Sequence, residues 1–238
     1  MIRIDPLPSL TSEKFISFVG AGGKTSLAEY LGQAAARDGK RVAITTTTRI
    51  WAREPCATFE GLSQKKGAPT RRFVRVGKTI DQGKLTGLAP DEVRALGRDY
   101  DLVLVEADGA KGLPLKHPAS YEPVIPRFSD RTVVVAGLDA LGGTIEERVF
   151  RWRLFAEASG LPPDGEITIP VFLRFFEGDS LLKGVERDKA VIVLNKYDAC
   201  PRHELVPELA RHILRLAGLS HVIVASVSQG AFYGVTPG

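Results

Sequence analysis

Short apolar runs rich in β-branched residues recur along the chain, separated by longer mixed stretches. They are FISFV (15–19), RVAITTT (41–47), RFVRV (72–76), DLVLVEA (101–107), RTVVVAG (131–137), AVIVLN (190–195) and HVIVAS (221–226). Within them Val, Ile and Leu follow one another with little polar interruption, whereas a strand with one wet face alternates. The pattern predicts strands buried on both sides, and so a mainly parallel sheet with helices over each face.

Between the runs, four stretches carry apolar residues at helical spacing. Residues 25–37 stop before Asp38 and Gly39, a helix-ending pair. Residues 89–99 open with Pro90 and place Asp91 and Glu92 in the first turn, where the helix dipole favours acids. Residues 146–160 and 201–218 are amphipathic and stop at Gly160 and Gly218. Residues 165–185 fit either a hairpin or a strand leading into a short helix. The predicted fold class is α/β: a three-layer α/β/α sandwich with a mainly parallel sheet, like that of P-loop NTPases. One domain is expected over 1–238, with elaborations around 57–100 and 160–188.

Composition narrows the function classes. The 238 residues are 44% hydrophobic and 25% charged, ordinary for a globular chain able to bury a large core. Cys56 and Cys200 stand far apart, with no histidine at metal-site spacing, which predicts reduced thiols and neither a disulfide framework nor zinc. MIRIDPLPSL lacks the basic start and apolar core of a secretory signal, and no run approaches a membrane span. The expected location is cytoplasmic, with no membrane partner. Net charge is +4, much of it in residues 64–78 with Lys65, Lys66, Arg71, Arg72, Arg75 and Lys78. Without interleaved aromatics to stack bases, this stretch reads as a solvated loop and charge-guarded edge strand rather than a nucleic-acid surface. Contact with a small anionic cofactor or an acidic partner is a third reading.

The chemistry concentrates where the first buried run meets the first helix, at FISFVGAGGKTS (15–26). A strand, a glycine-rich turn and a helix opening at Gly-Lys-Thr is the context of a phosphate-binding loop. Amides at a helix start lack internal partners and sit in the positive end of the dipole. Gly20, Gly22 and Gly23 would let the backbone curl around phosphate oxygens, with Ala21 between them. Lys24 would reach the terminal phosphates, and the hydroxyls of Thr25 and Ser26 follow, with Thr25 a ligand for Mg²⁺. The common loop has a glycine six residues before the lysine, where this chain has Phe18. The shorter spacing is similar to that of the Mur ligases. The competing reading is a tight turn with Lys24 in solvent.

Three further segments point to the same edge. AVIVLNKYD ends in Asn195, Lys196 and Asp198, the N-K-x-D pattern with which GTPases read guanine. An aspartate can accept both N1–H and the 2-amino group, which adenine does not offer as a pair. Lys196 would lie along the base and Asn195 would brace the loops. Ala225-Ser226 follows one strand later, where GTPases set an amide against the guanine oxygen. The bland alternative is a turn in which Asp198 caps a helix. DLVLVEADGAKG places Glu106 and Asp108 at a strand's carboxyl end, as candidates to position Mg²⁺ or an attacking water. Thr46, Thr47, Thr48 and Arg49 could approach a γ-phosphate, or simply be good strand formers. Asp139 is a candidate third carboxylate or cap, and Lys111, Lys116 and His117 are candidates to face a substrate.

Taken together, VGAGGKTS, TTTTRIW, VEADGAKGLPLKHPASYEPVIP, GLDALGGTIEERVFR and VIVLNKYD resemble the YqeC family, accessory proteins of selenium-dependent molybdenum hydroxylases. The resemblance covers about residues 15–230 and implies a role in maturing a molybdenum-cofactor enzyme. Its implied partners are the molybdenum cofactor or a hydroxylase client. Ser26 stands where a threonine is expected and keeps a hydroxyl. The residues themselves predict binding of GTP or ATP with Mg²⁺ and hydrolysis. The rival readings are a small-molecule kinase or ligase, and a nucleotide-binding adaptor that does not turn over.

Overall fold

The computed structural model describes residues 1–64, 71–178, 180–219 and 222–236. Lys65 and Lys66 of the basic stretch lie outside the described residues.

Among the described residues, ten strands form one sheet. In chain order they are β1 (Ile2–Arg3), β2 (Phe15–Gly20), β3 (Val42–Thr46), β4 (Cys56–Thr58), β5 (Phe73–Gly77), β6 (Leu102–Glu106), β7 (Arg131–Gly137), β8 (Ala190–Asn195), β9 (Val222–Ser226) and β10 (Ala231–Val235). Their spatial order is β1-β10-β9-β8-β7-β2-β6-β3-β5-β4. Pairing is parallel from β9 through β4, and antiparallel at β10 and β1. All seven predicted runs are strands of this sheet, so the expected α/β sandwich holds.

The main helices are α1 (Lys24–Arg37), α2 (Pro90–Leu96), α3 (Trp152–Ser159) and α4 (Val206–Ala217). Strand residues alternate between two buried faces. Leu102 and Leu104 of β6, with Val133 and Val135 of β7, pack with Leu27 and Leu31 of α1. Val103 and Val105 meet Val93 and Leu96 of α2, while Val134 and Ala136 join Phe155 of α3 and Leu209 and Ile213 of α4. Helix α1 lies so close to the sheet that a Cβ on Gly32 would come within 2.9 Å of the Phe73 ring. Interior positions of this kind each contribute roughly 1.5–3 kcal/mol through burial of a large apolar side chain.

Three element boundaries differ from the sequence expectation. The stretch 146–160 is not one helix. Ile145–Arg148 is a single turn, Val149–Phe150 pairs in parallel with Leu115–Lys116, and Arg151 takes a left-handed φ of 62° before α3 begins. Helix α4 starts at Val206, later than the predicted 201, because Pro207 suits only the first turn. Residues 165–185 contain the short helix Ile169–Leu173 and a 3₁₀ turn at Arg174–Phe176, with one isolated bridge from Glu166 to Thr144. Within 57–100, β5 belongs to the main sheet, and Ile80–Asp81 and Lys84–Thr86 form a small sheet with Arg49–Trp51. Among the described residues no helix is long and apolar enough to cross a membrane. Cys56 and Cys200 are free thiols.

Strands β3 to β6 lie on one side of β2, and β7 to β10 lie on the other. The chain therefore reverses its direction of winding beside β2, and a crevice at the strands' carboxyl ends is expected there.

Candidate functional site

The turn after β2 is a tight curl that only glycine can follow. Gly20, Gly22 and Gly23 have φ of 92°, 79° and 114°. A Cβ on Gly22 would stand 2.3 Å from the amide nitrogen of Gly137, so no side chain fits. The Gly20 N–H donates to Asp108 Oδ2 (3.0 Å), Ala21 N–H to the Val135 carbonyl (2.8 Å) and Gly22 N–H to the Leu113 carbonyl (3.0 Å). These three amides, expected from the sequence to face phosphate, are therefore engaged inside the protein. The first helical bond of α1 runs from Leu27 N–H to the Gly23 carbonyl (3.0 Å). The amides of Gly23, Lys24, Thr25 and Ser26 precede it and have no helical acceptor, which makes that helix start the anion-seeking part of the turn.

Lys24 is buried, not solvated. Its Nζ donates to the Gly20 carbonyl and lies 3.1 Å from Asp108 Oδ1, an ion pair outside hydrogen-bond geometry. Glu106, the last residue of β6, falls on the α1 face by strand alternation. Its Oε2 accepts from the Thr25 hydroxyl at 3.0 Å. Its Oε1 is buried without a hydrogen-bond partner among the described residues. Burial pushes the Glu106 carboxyl above its ordinary range, against the opposing pull of the Lys24 charge and the Thr25 hydrogen bond. A hard divalent cation takes oxygen donors of this kind, so Glu106 and Thr25 fit Mg²⁺. Asp108 is instead spent on Gly20, Lys24 and Lys116 (Nζ to Oδ2, 3.0 Å). Among the described residues no group of three His, Cys, Asp or Glu could hold a metal alone. A cation here would need ligand oxygens as well, which is how Mg²⁺ is usually bound beside phosphates.

The N-K-x-D segment follows β8. Asn195 is buried; its Nδ2 donates to the Gly22 carbonyl (2.9 Å) and its Oδ1 accepts from Val227 N–H (3.2 Å). One side chain thus pins the glycine turn to the segment after β9. Lys196 takes a left-handed φ of 61° and pairs with Asp139 (2.8 Å). Asp198 Oδ2 accepts from the Ser228 hydroxyl (2.9 Å), and its N–H donates to Ser226 Oγ (3.0 Å). Ser226 is buried and supports the Asp198 loop from behind.

A cleft of about 580 Å³ opens between these segments. Gly23 and Ser26 line it together with Asn195, Lys196 and Asp198. Lys24, Thr25, Glu106 and Asp108 gather beneath the turn, next to the cleft but outside its lining.

A family model described as YqeC protein matches residues 16–153, the stretch from β2 to the start of α3. The uncharacterized protein YqeC of Escherichia coli (strain K12) is 34% identical over 214 residues, covering 83% of this chain and 83% of that protein. The chain belongs to the YqeC family.

In this YqeC-family chain several sequence candidates are placed elsewhere. Arg49 turns to Asp81 in the small sheet. Thr46 donates to the Glu106 carbonyl (2.8 Å) and Thr47 to the Val124 carbonyl (2.9 Å), so they brace the acid-bearing strand end. Lys116 is buried and bonds Glu122 Oε2 (2.7 Å) as well as Asp108. Lys111 is exposed beside the Phe150 ring, 5.5 Å from its centre. His117 lies by Phe155, with ring centres 6.3 Å apart. Asp139 lines the cleft as the partner of Lys196. Sequence reasoning missed Glu29, Tyr30 and Gln33, which line the cleft with Ser26. Their spacing of three, four and seven from Ser26 is one helical face, a signal that was present but polar enough to pass for a solvated surface.

Proposed function

We propose that this chain binds a nucleoside triphosphate, preferring GTP to ATP, and hydrolyses it with Mg²⁺ as an accessory in maturing a molybdenum hydroxylase. The observation that carries the reading is the shared cleft. An anion-seeking helix start and an Asn-Lys-x-Asp loop line the same 580 Å³ space and are tied together by Asn195. In the proposed complex the amides of Gly23 to Ser26 hold phosphate oxygens, and Lys24 moves to the terminal phosphates. Thr25 and Glu106 would hold Mg²⁺, which would supply neutralisation of charge on the transferring phosphoryl group. Asp198 accepts the guanine N1–H and 2-amino hydrogens, with the Lys196 stem along the base.

Calorimetric titration with GTP, ATP and CTP, each with Mg²⁺, tests the reading, together with phosphate release. GTP is expected to bind tightest, Lys24→Ala to abolish binding, and Asp198→Asn to remove the guanine preference while keeping phosphate affinity. Absence of binding to every nucleotide would sink the proposal. Tight binding with background turnover would leave only the adaptor form. The maturation role rests on the family resemblance, and the molybdenum content of a co-produced hydroxylase, with and without the chain, tests it.

A further inference from the structure

The side chains beneath the glycine turn form an alternating chain of charge. Lys24 meets Asp108 (3.1 Å), Asp108 meets Lys116 (3.0 Å), Lys116 meets Glu122 (2.7 Å), and Glu122 is gripped by both terminal nitrogens of Arg151. Lys24, Asp108 and Lys116 are 5%, 3% and 1% exposed, so water cannot take over when one of these contacts is lost. Asp108 therefore sits where an anion belongs: it takes the Gly20 amide, the turn's lysine and a second lysine.

We infer that Asp108 is the internal anion of the turn, and that Lys116 is a positioning residue that sets how firmly Asp108 holds Lys24. Lys24 can serve an incoming phosphate only by leaving Asp108. With no other cation, that departure would strand a buried carboxylate, which is strongly unfavourable. Lys116 removes the obstacle. It stays on Asp108, itself fixed by the Gly109 carbonyl (2.8 Å) and Glu122, while Lys24 is released. Within this chain of contacts three cations face two carboxylates, and Lys24 is the cation at its open end. The inference rests on the nucleotide reading only for the identity of the incoming phosphate.

The test uses the full chain and metal-free inorganic tripolyphosphate as probe, with affinity read by calorimetry. Asp108→Asn is expected to raise affinity about tenfold, the lower end of coupling between close charge pairs. A purely structural role would lower it. Lys116→Met is expected to lower affinity about tenfold by the same coupling, and Lys116→Arg to keep the wild-type value. Once Asp108 is neutral, loss of Lys116 has no charge at that position left to expose, so the double variant Asp108→Asn/Lys116→Met is expected to match Asp108→Asn. No gain in Asp108→Asn, or additive effects in the double variant, overturns the inference. If Lys116→Met does not fold, Glu122→Gln replaces it: Lys116 is then left to Asp108 alone and affinity should rise, and a fall overturns the inference. GTP binding no better than tripolyphosphate would count against the nucleotide reading alone.

Discussion

Truncating Asn195 to alanine removes a side chain that links the glycine turn to the segment after β9. The side chain is 3% exposed and makes two hydrogen bonds, to the Gly22 carbonyl at 2.9 Å and from the Val227 N–H at 3.2 Å. The variant leaves a carbonyl and an amide without their partner. Each such orphan costs about 1–3 kcal/mol, less where water can enter. The cleft is adjacent, so partial wetting favours the lower half of that range, and about 2–4 kcal/mol in total is expected. Equilibrium urea unfolding, read as a shift in midpoint at unchanged slope, measures it. Asn195→Asp should keep the acceptor for Val227 while setting a carboxylate against the Gly22 carbonyl, so it should rescue only part of the loss. A change below about 0.5 kcal/mol for Asn195→Ala, the range of ordinary surface substitutions, would refute the claim that this residue fastens the two loops.

Three other outcomes follow from the same geometry. Gly22→Ala, at φ 79° and with its Cβ 2.3 Å from the Gly137 nitrogen, should cost about 3 kcal/mol or more, whereas Gly109→Ala, with open space around it, should be nearly neutral in a thermal melt. Burial raises the Glu122 carboxyl, but Arg151 and Lys116 overcome it and hold the group at about 2, below its unfolded value of about 4.3. Its stabilisation is present above the unfolded value and lost as pH falls through about 2, so Glu122→Gln should flatten the acid limb of stability by up to about 3 kcal/mol; an unchanged limb would count against the pairing. Glu106 has the opposite sign: its raised folded value means the native state keeps a proton the unfolded chain gives up, so wild-type stability falls as pH rises above about 4.3. Glu106→Gln should abolish that fall, and a wild-type slope retained in the variant would show that another group is responsible.

The parts of the fold that were legible in the sequence are those where one physical signal dominates. Val133 to Ala136 and Val191 to Leu194 are buried on both faces, and a continuous apolar run leaves no other solution than an inner strand. The break after Arg148 was not legible. Val149 is apolar and fits a helix face, yet its backbone is claimed by Leu115, more than thirty positions away. The two-residue and three-residue strands Ile2–Arg3 and Cys56–Thr58 are too short for any periodicity and exist because an edge was available. In the candidate site, the glycines, Lys24 and Asn195-Lys196-x-Asp198 announced themselves by spacing. The inward turn of Lys24 did not, because it depends on Asp108, whose position past the end of β6 is set by tertiary contacts. Lys116 read as a substrate-facing cation for the same reason: its acidic partners Asp108 and Glu122 lie eight and six positions away, outside any regular repeat.

The winding of the sheet has a mechanical consequence. Helix α1 follows β2 and the Asn195 loop follows β8, with β7 between the two strands, so the cleft these segments line reaches across the β2–β7 seam. A molecule gripping both sides would act as a staple across a zip fastener. Amide exchange along Ile16 to Gly20 and Val133 to Val135 should then slow on ligation far more than exchange at the rims.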